Sequence, residues 1–254
     1  MNRSEFYGSA LRNLGLVPTM QRAWALRGSS GPEMRLTSKY LANPVIARRG
    51  TTDLYVFDTI FVEREYSCLD HLKGVCTVID AGANCGYSSA YFLSKFPGSR
   101  VIAVEPDHAN FLLLKKNLAP WGDRAICVEA ALWSHETTLS FEQDSTCDGN
   151  EWGRRTEESG GASSGADIRA VTVPWLMNEL GVDTIDVLKV DIEGAETAVF
   201  GGGDRSWLGA VRNIVIELHG PECQAAVEGA LAHYAFTESR SGELSVYLDI
   251  SPKG

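Results

Sequence analysis

The sequence has no long apolar run, and this absence limits where the protein can act. Nowhere in its 254 residues do about 18 apolar residues follow one another, which is the length that a membrane-spanning helix needs. The opening segment, MNRSEFYGSALRNLGLVPTM, also lacks the apolar stretch of about seven or more residues that a secretory signal peptide carries. We therefore expect a cytoplasmic protein with no membrane partner.

Basic patches and paired cysteines are missing as well. The net charge is -10 at pH 7, and the largest basic clusters are only the pairs Arg48-Arg49 and Lys115-Lys116. A nucleic acid would meet a repulsive surface, so we expect no nucleic-acid partner.

The six cysteines form no Cys-x-x-Cys pair. This pattern is typical of reduced thiols and does not indicate a disulfide framework.

What is present is the composition of a globular protein, with 44% hydrophobic and 22% charged residues. Residues 1–45 mix short amphipathic pieces with glycine and proline, and they predict a small helical N-terminal appendage. Residues 46–254 predict one main domain. Within it, residues 143–167 are rich in serine, glycine and acids and predict a mobile loop, either on the surface or as a lid.

From residue 75 onward, β-rich runs alternate with helical stretches. The runs are VCTVID (75–80), RVIAVE (100–105), RAICVEAAL (124–132), TIDVLKVD (184–191) and RNIVIEL (212–218). This alternation predicts an α/β fold, a doubly wound and mostly parallel sheet with helices on both faces. The later segment FTESRSGELSVYLDI predicts two antiparallel strands joined through RSGE, which close one edge of that sheet.

The stretch VIDAGANCGYSSA (78–90) places an acid at the end of the first predicted strand and a glycine-containing turn after it. Ligands of open α/β sheets bind at the carboxyl ends of the strands, where Asp80 to Gly86 are expected to lie. Gly82 and Gly86 let the backbone bend and approach a ligand closely, and the following helix start offers N–H groups to an anion. Glu105 ends the next strand, where an acid can accept both hydroxyls of a ribose.

This loop differs from the dinucleotide fingerprint Gly-x-Gly-x-x-Gly, because it reads Gly-x-x-x-Gly with an acid two residues ahead. A pyrophosphate needs no carboxylate in its loop, whereas a ligand with an amino group or a sulfonium does. The two acids, Asp80 and Glu105, therefore predict an adenosine ligand with a zwitterionic, cationic tail.

Five segments carry a family resemblance over roughly residues 45 to 220. In order, they are RRGTTDLYVFDTIFVEREY, DAGANCG, VEPDHANFLLLKKN, VLKVDIEGAE and IVIELHG. Together they resemble the class I S-adenosylmethionine-dependent methyltransferases, and among them the FkbM family. The resemblance implies a Rossmann-like, seven-stranded sheet with an antiparallel last strand. It also implies S-adenosylmethionine as cofactor and O-methylation of small molecules such as sugars, glycosides, polyketides or other secondary metabolites.

The resemblance further implies which residues bind the cofactor. Asp80 would anchor the glycine loop or the amino group of the cofactor, and Glu105 would bind the ribose. Tyr66 would either cover the sulfonium with its ring or serve as a packing residue. The complete set of candidate cofactor residues is Tyr66, Asp80, Gly82, Ala83, Asn84, Gly86, Tyr87, Ser88, Glu105, Pro106, Ala130 and Asp191.

The candidate catalytic residues follow two strands that are expected to be neighbours. Asp191 and Glu193 lie at the carboxyl end of the run TIDVLKVD, and His219 follows the run RNIVIEL. An alcohol needs a general base to remove its proton, and an unperturbed histidine pKa of about 6.5 would suit His219 to that role. We expect no metal. The alternative is a divalent ion held by Asp191, Glu217 and His219.

The sequence thus predicts an S-adenosylmethionine-dependent O-methyltransferase that acts on a small hydroxylated molecule. One alternative is methyl transfer to RNA, to a peptide or to a nitrogen acceptor. Another is a nicotinamide-dependent oxidoreductase. The sequence leaves assembly as a homo-oligomer open.

Overall fold

A computed structural model describes residues 3–28, 31–141, 156–158 and 167–254. The α-helices are α1 (Arg3–Asn13), α2 (Leu16–Gly28), α3 (Asp53–Phe61), α4 (Tyr87–Lys95), α5 (His108–Leu118), α6 (Val173–Glu179), α7 (Glu196–Gly201) and α8 (Pro221–Leu231). The strands are β1 (Glu33–Leu36), β2 (Val45–Arg48), β3 (Thr77–Ala81), β4 (Arg100–Glu105), β5 (Ala125–Glu129), β6 (Ala131–Leu132), β7 (Thr137–Phe141), β8 (Thr156–Glu158), β9 (Ile168–Val171), β10 (Val187–Val190), β11 (Ile214–Glu217), β12 (Tyr234–Ser241) and β13 (Leu244–Pro252). Three short 3-10 helices lie at Glu65–Leu69, Ala119–Arg124 and Ser206–Ala210.

The main sheet has seven strands in the order β12-β13-β11-β10-β3-β4-β5. Strands β11, β10, β3, β4 and β5 are parallel, and β13 runs antiparallel to β11. The predicted doubly wound α/β sheet and its antiparallel edge pair are therefore confirmed. The parallel register places the carboxyl ends of β3, β4, β10 and β11 at one edge of the sheet.

Burial explains why the central strands are nearly continuous apolar runs. All residues of β3 and β10 are buried, because helices cover both faces of a parallel sheet. One apolar cluster joins the sheet to α3, α4 and α5 through side chains such as Phe57 and Phe92. A second cluster joins the other face to α6, α7 and α8 through side chains such as Leu176 and Phe200.

The predicted appendage contains α1 and α2 and, in addition, strand β1, which pairs antiparallel with β2. Because β2 begins at Val45, the predicted boundary after residue 45 falls within this strand pair. Ile46 of β2 is tied to the main domain, since its carbonyl accepts the hydroxyl of Tyr87 at 2.9 Å and the amide of Asn117 at 3.1 Å.

A second, small sheet has the order β6-β9-β7-β8. Strand β8 lies within the segment predicted as a mobile loop and pairs antiparallel with β7. Residues 156–158 are therefore paired in a sheet, and the mobility of the segment stays a prediction. Apart from these residues and Asp167, the predicted loop 143–167 lies outside the described residues. In the part of the chain that is described, we find no helix with the length and apolar character to cross a membrane.

Candidate active site

A cleft lies at the carboxyl ends of the central strands and opens to solvent; its empty space, with open solvent included, is about 1250 Å³. Its floor is formed by the segments that follow β3, β4, β10 and β11, which is where ligands of open α/β sheets bind. The lining residues that the sequence predicted are Tyr66, Gly82, Ala83, Asn84, Tyr87, Ser88, Glu105, Pro106, Ala130, Asp191, Glu193 and Glu217.

Gly82 is held where the first loop touches the segment after β10. Its φ is +73°, and a Cβ atom at this position would lie 1.7 Å from the carbonyl oxygen of Asp191. The backbone N–H groups of Gly82 and Ala83 both donate to the carbonyl of Val104 at 3.0 Å. Only glycine fits here, because both the backbone angle and the close approach exclude a side chain.

Glu105 connects the glycine loop to the next strand end. Its two carboxylate oxygens accept the backbone N–H groups of Asn84 at 2.8 Å and Asp107 at 2.9 Å. The side chain is buried, and this burial raises the pKa of Glu105 to about 7 although both N–H groups oppose the shift. The side chain of Asn110 is a further hydrogen-bond partner of Glu105. A carboxylate can accept about four hydrogen bonds, so Glu105 can still accept one from a ligand.

The raised pKa of Glu105 predicts a pH-dependent change in stability. In the folded protein Glu105 keeps its proton up to a pKa of about 7, compared with 4.5 for the ordinary group, so the stability that it contributes is lost as pH rises through this interval. Glu105→Gln does not titrate. We consider the free energy of unfolding of Glu105→Gln minus that of the wild type. We expect this difference to increase by an amount on the order of 2–3 kcal/mol from pH 5 to pH 8.

Urea unfolding at the two pH values measures this difference. The loss of one acceptor oxygen in the glutamine variant affects both pH values equally and cancels in the comparison. A variant whose stability changes with pH in parallel with the wild type would contradict the prediction.

Asp80 lies beneath the glycine loop and is fully buried. One of its oxygens accepts the hydroxyls of Ser88 at 2.6 Å and Ser89 at 2.5 Å, both from the first turn of α4. The other oxygen lies 3.2 Å from the ammonium group of Lys189. Asp80 therefore contacts the elements that flank the loop, and it does not line the cleft.

His219 lies among four acidic side chains. Its Nδ1 atom lies 2.9 Å from the carboxylate of Glu196, which is buried. Its Nε2 atom lies 3.4 Å from Glu193, 3.7 Å from Glu217 and 4.0 Å from Asp191. The fold thus brings together Asp191, Glu193 and His219, as the sequence predicted.

The predicted pKa of His219 is wrong. Burial alone would lower the pKa of His219, but the hydrogen bond and charge of Glu196, together with Glu193 and Asp191, outweigh burial and raise it to about 9. The imidazole ring is therefore protonated near pH 7. A protonated ring cannot accept a proton from an alcohol, so the argument that made His219 the base no longer applies.

Glu193 is better suited than His219 to accept a proton near neutral pH. Burial, with a further contribution from the charge of Asp191, raises the pKa of Glu193 to about 7. Its backbone adopts a φ of +53°, an unusual angle for this residue type and one that directs attention to function. A carboxylate with such a pKa can exchange a proton at neutral pH.

The three residues of the metal alternative are also close together. Asp191, Glu217 and His219 each offer one ligand atom, and these atoms all lie within 4.8 Å of one another. Oxygen and imidazole ligands suit a divalent ion.

The cleft also contains residues that the sequence did not single out. One face of α3 contributes Tyr55, Val56, Thr59 and Ile60. Their spacing is that of a helix face, which was the available signal. Further acids line the cleft at Glu65 and Glu243, and Lys189 forms part of its wall. Tyr66 is buried, and its ring centroid lies 5.2 Å from that of Phe92.

The hairpin of β12 and β13 reaches the cleft through its turn. Glu243 of this turn lines the cleft. The hydroxyl of Ser241 donates to the backbone carbonyl of Glu65 at 3.2 Å. The hairpin therefore completes the rim opposite the glycine loop.

The sheet, with its antiparallel strand β13, and the cleft at the strand ends are those of the class I methyltransferase fold. Residues 80–240 match the model of the methyltransferase FkbM domain, and the chain belongs to this family. The predicted family is confirmed, and with it the class of S-adenosylmethionine-dependent methyltransferases. This assignment replaces the alternative of a nicotinamide-dependent oxidoreductase.

Two relatives and one solved structure illustrate the similarity. The methyltransferase sdnD of Sordaria araneosa is 28% identical in an alignment of 216 residues, and the match covers 73% of this chain and 83% of that protein. The AMB antimetabolite synthetase AmbE of Pseudomonas aeruginosa is 27% identical in an alignment of 238 residues, and the match covers 79% of this chain but 11% of that protein. A SAM-dependent methyltransferase from Agrobacterium tumefaciens has a TM-score of 0.48 and 9% identity, covering 90% of this chain and 72% of that one.

Proposed function

We propose that the protein transfers the methyl group of S-adenosylmethionine to a hydroxyl oxygen of a small molecule. The observation that carries this proposal is the group of Asp191, Glu193 and His219, whose two acids line the cleft one loop away from Gly82. This arrangement supplies a proton acceptor next to a site for the cofactor.

We place the cofactor along the strand ends. Gly82 to Asn84 would hold the methionine part, and Glu105 would accept a hydrogen bond from the ribose. Pro106 and Ala130, which line the cleft, would contact the adenine. The methyl group would then be supplied next to the acids at the ends of β10 and β11.

The transfer is an in-line displacement that gains most of its rate from alignment of the acceptor oxygen with the methyl carbon. The acceptor O–H bond breaks and its proton passes to a carboxylate oxygen of Glu193. S-adenosylmethionine, when bound, would supply the methyl group, because the acceptor oxygen would gain the methyl carbon as the S–CH₃ bond breaks, with S-adenosylhomocysteine as the leaving group. His219, held by Glu196, keeps Glu193 in place and balances its charge, while Asp191 orients the acceptor.

The charge of the cleft favours an acceptor without phosphate groups. Seven acidic side chains line it, namely those of Glu65, Glu105, Asp107, Asp191, Glu193, Glu217 and Glu243. Their combined field repels polyanions, and the net charge of -10 adds to this repulsion. We therefore propose a small hydroxylated acceptor rather than RNA.

Mass spectrometry tests this proposal directly. The protein is incubated with S-adenosylmethionine and with separate sets of glycosides, hydroxylated polyketides, primary amines, peptides and bulk RNA. We expect a hydroxylated compound to gain the mass of one methyl group in place of a hydrogen. Reaction confined to amines, peptides or RNA would overturn the proposed acceptor class but leave the cofactor class intact.

A further inference from the structure

Lys189 is a buried cation whose role the activity described above does not include. It lies in the middle of β10 between Leu188 and Val190, and only 2% of its surface is exposed. A charge removed from water in this way needs compensating partners, because its desolvation is costly. The positions of those partners indicate what the side chain does.

The first set of partners belongs to the strand that carries the glycine loop. The ammonium group of Lys189 donates to the carbonyl of Gly82 at 2.6 Å and to that of Ala81 at 3.3 Å. It also lies 3.2 Å from a carboxylate oxygen of Asp80. Lys189 therefore fixes the direction of the Gly82 carbonyl at the point where the loop leaves β3.

The second partner is the acid at the end of its own strand. The same ammonium group lies 3.6 Å from a carboxylate oxygen of Asp191, which is partly exposed in the cleft. The two segments are joined again through the backbone, since the N–H of Asp191 donates to the carbonyl of Ala81 at 3.1 Å. One side chain thus contacts both the loop and the acid.

Lys189 keeps its positive charge in this buried position. Burial alone would lower the pKa of Lys189, but the carboxylates of Asp80 and Asp191 outweigh burial and raise it. The side chain therefore remains a cation at neutral pH.

We propose that Lys189 is a positioning residue that couples the cofactor loop to the transfer centre by fixing the Gly82 carbonyl and the Asp191 carboxylate relative to each other. This proposal rests on the cofactor placement given above. A purely structural role would be different, because Lys189 would then serve only to neutralise the buried Asp80.

A double-mutant cycle separates these two roles. The proteins are the wild type, Lys189→Met, Asp80→Asn and the combined Asp80→Asn/Lys189→Met. Methionine retains most of the volume of the lysine side chain without its charge. Binding of S-adenosylhomocysteine is measured by calorimetry well below the lowest thermal midpoint, and the thermal midpoint of each variant is measured as well.

We expect Lys189→Met alone to lower the midpoint strongly, because Asp80 keeps a buried charge without a cation. The combined variant should recover much of that midpoint. Its affinity for S-adenosylhomocysteine should nevertheless be about tenfold or more below that of Asp80→Asn, because the Gly82 carbonyl and Asp191 have lost their common partner. With an accepted substrate, kcat should fall more than KM for the cofactor rises.

Equal affinity of the combined variant and Asp80→Asn would overturn the proposal and leave Lys189 with the structural role alone. A wild-type protein that does not bind S-adenosylhomocysteine would overturn the cofactor placement and this proposal together. The two failures are distinguishable, since the first occurs with normal binding by the wild type.

Discussion

Replacing Gly82 by alanine should abolish measurable binding of S-adenosylhomocysteine and lower the free energy of unfolding by more than about 2 kcal/mol. The new methyl group would lie 1.7 Å from the carbonyl oxygen of Asp191 and 2.8 Å from its carbonyl carbon. Both are backbone atoms, so no rotation of a side chain can relieve the overlap. The loop must move away from β10, and its backbone then no longer forms the proposed cofactor site. Calorimetry and urea unfolding measure the two effects.

Gly98→Ala is the matched control for this substitution. Gly98 is exposed, has no left-handed backbone angle, and a Cβ atom there would have no heavy atom within 4 Å. We expect wild-type affinity and a stability change of less than about 1 kcal/mol. If Gly82→Ala bound the cofactor product as tightly as Gly98→Ala does, the loop would not be the cofactor site.

Replacing Glu193 by glutamine should reduce methyl transfer by about 10²- to 10⁴-fold, the usual contribution of a general base. Glutamine has nearly the same shape but cannot take up the proton of the acceptor. Binding of S-adenosylhomocysteine should change by less than about threefold, because the proposed role of Glu193 concerns the acceptor. Single-turnover transfer to the substrate found by mass spectrometry measures the first effect, and calorimetry measures the second.

Two controls accompany the Glu193→Gln variant. Glu222→Gln removes an exposed carboxylate in the first turn of α8 and should transfer methyl groups at the wild-type rate. Addition of EDTA to the wild type tests the metal alternative. Loss of activity with EDTA and its recovery with Mg²⁺ would favour an ion at Asp191, Glu217 and His219 over proton transfer to Glu193.

The main sheet could be predicted from the sequence because its strands are buried on both faces. Runs such as VCTVID and RVIAVE contain few polar residues and alternate with helical segments, so their type and order are readable. The run RAICVEAAL was less informative. It divides into β5 of the main sheet and β6 of the small sheet, and nothing in its apolar pattern marks the change of partner. Strand β8 was missed because an edge strand of three residues carries little periodic signal.

The sequence could predict which side chains lie at the candidate site wherever an acid or a histidine ends or follows a strand, as with Glu105, Asp191 and His219. What could not be predicted depends on neighbours that are distant in sequence. The pKa of His219 depends on Glu196, which lies 23 positions away. Lys189 contacts Gly82 across 107 positions, and a lysine between apolar residues gives no indication of that partner.

The hydrogen bond from Ser241 to the carbonyl of Glu65 spans 176 positions of the chain. Closing a loop of this length costs conformational entropy, which the contacts of the hairpin with the rest of the domain must offset. Ser241 and Glu243 belong to one hairpin, and β13 of that hairpin pairs with β11. The pairing of an edge strand far along the chain therefore also determines the shape of one side of the cleft.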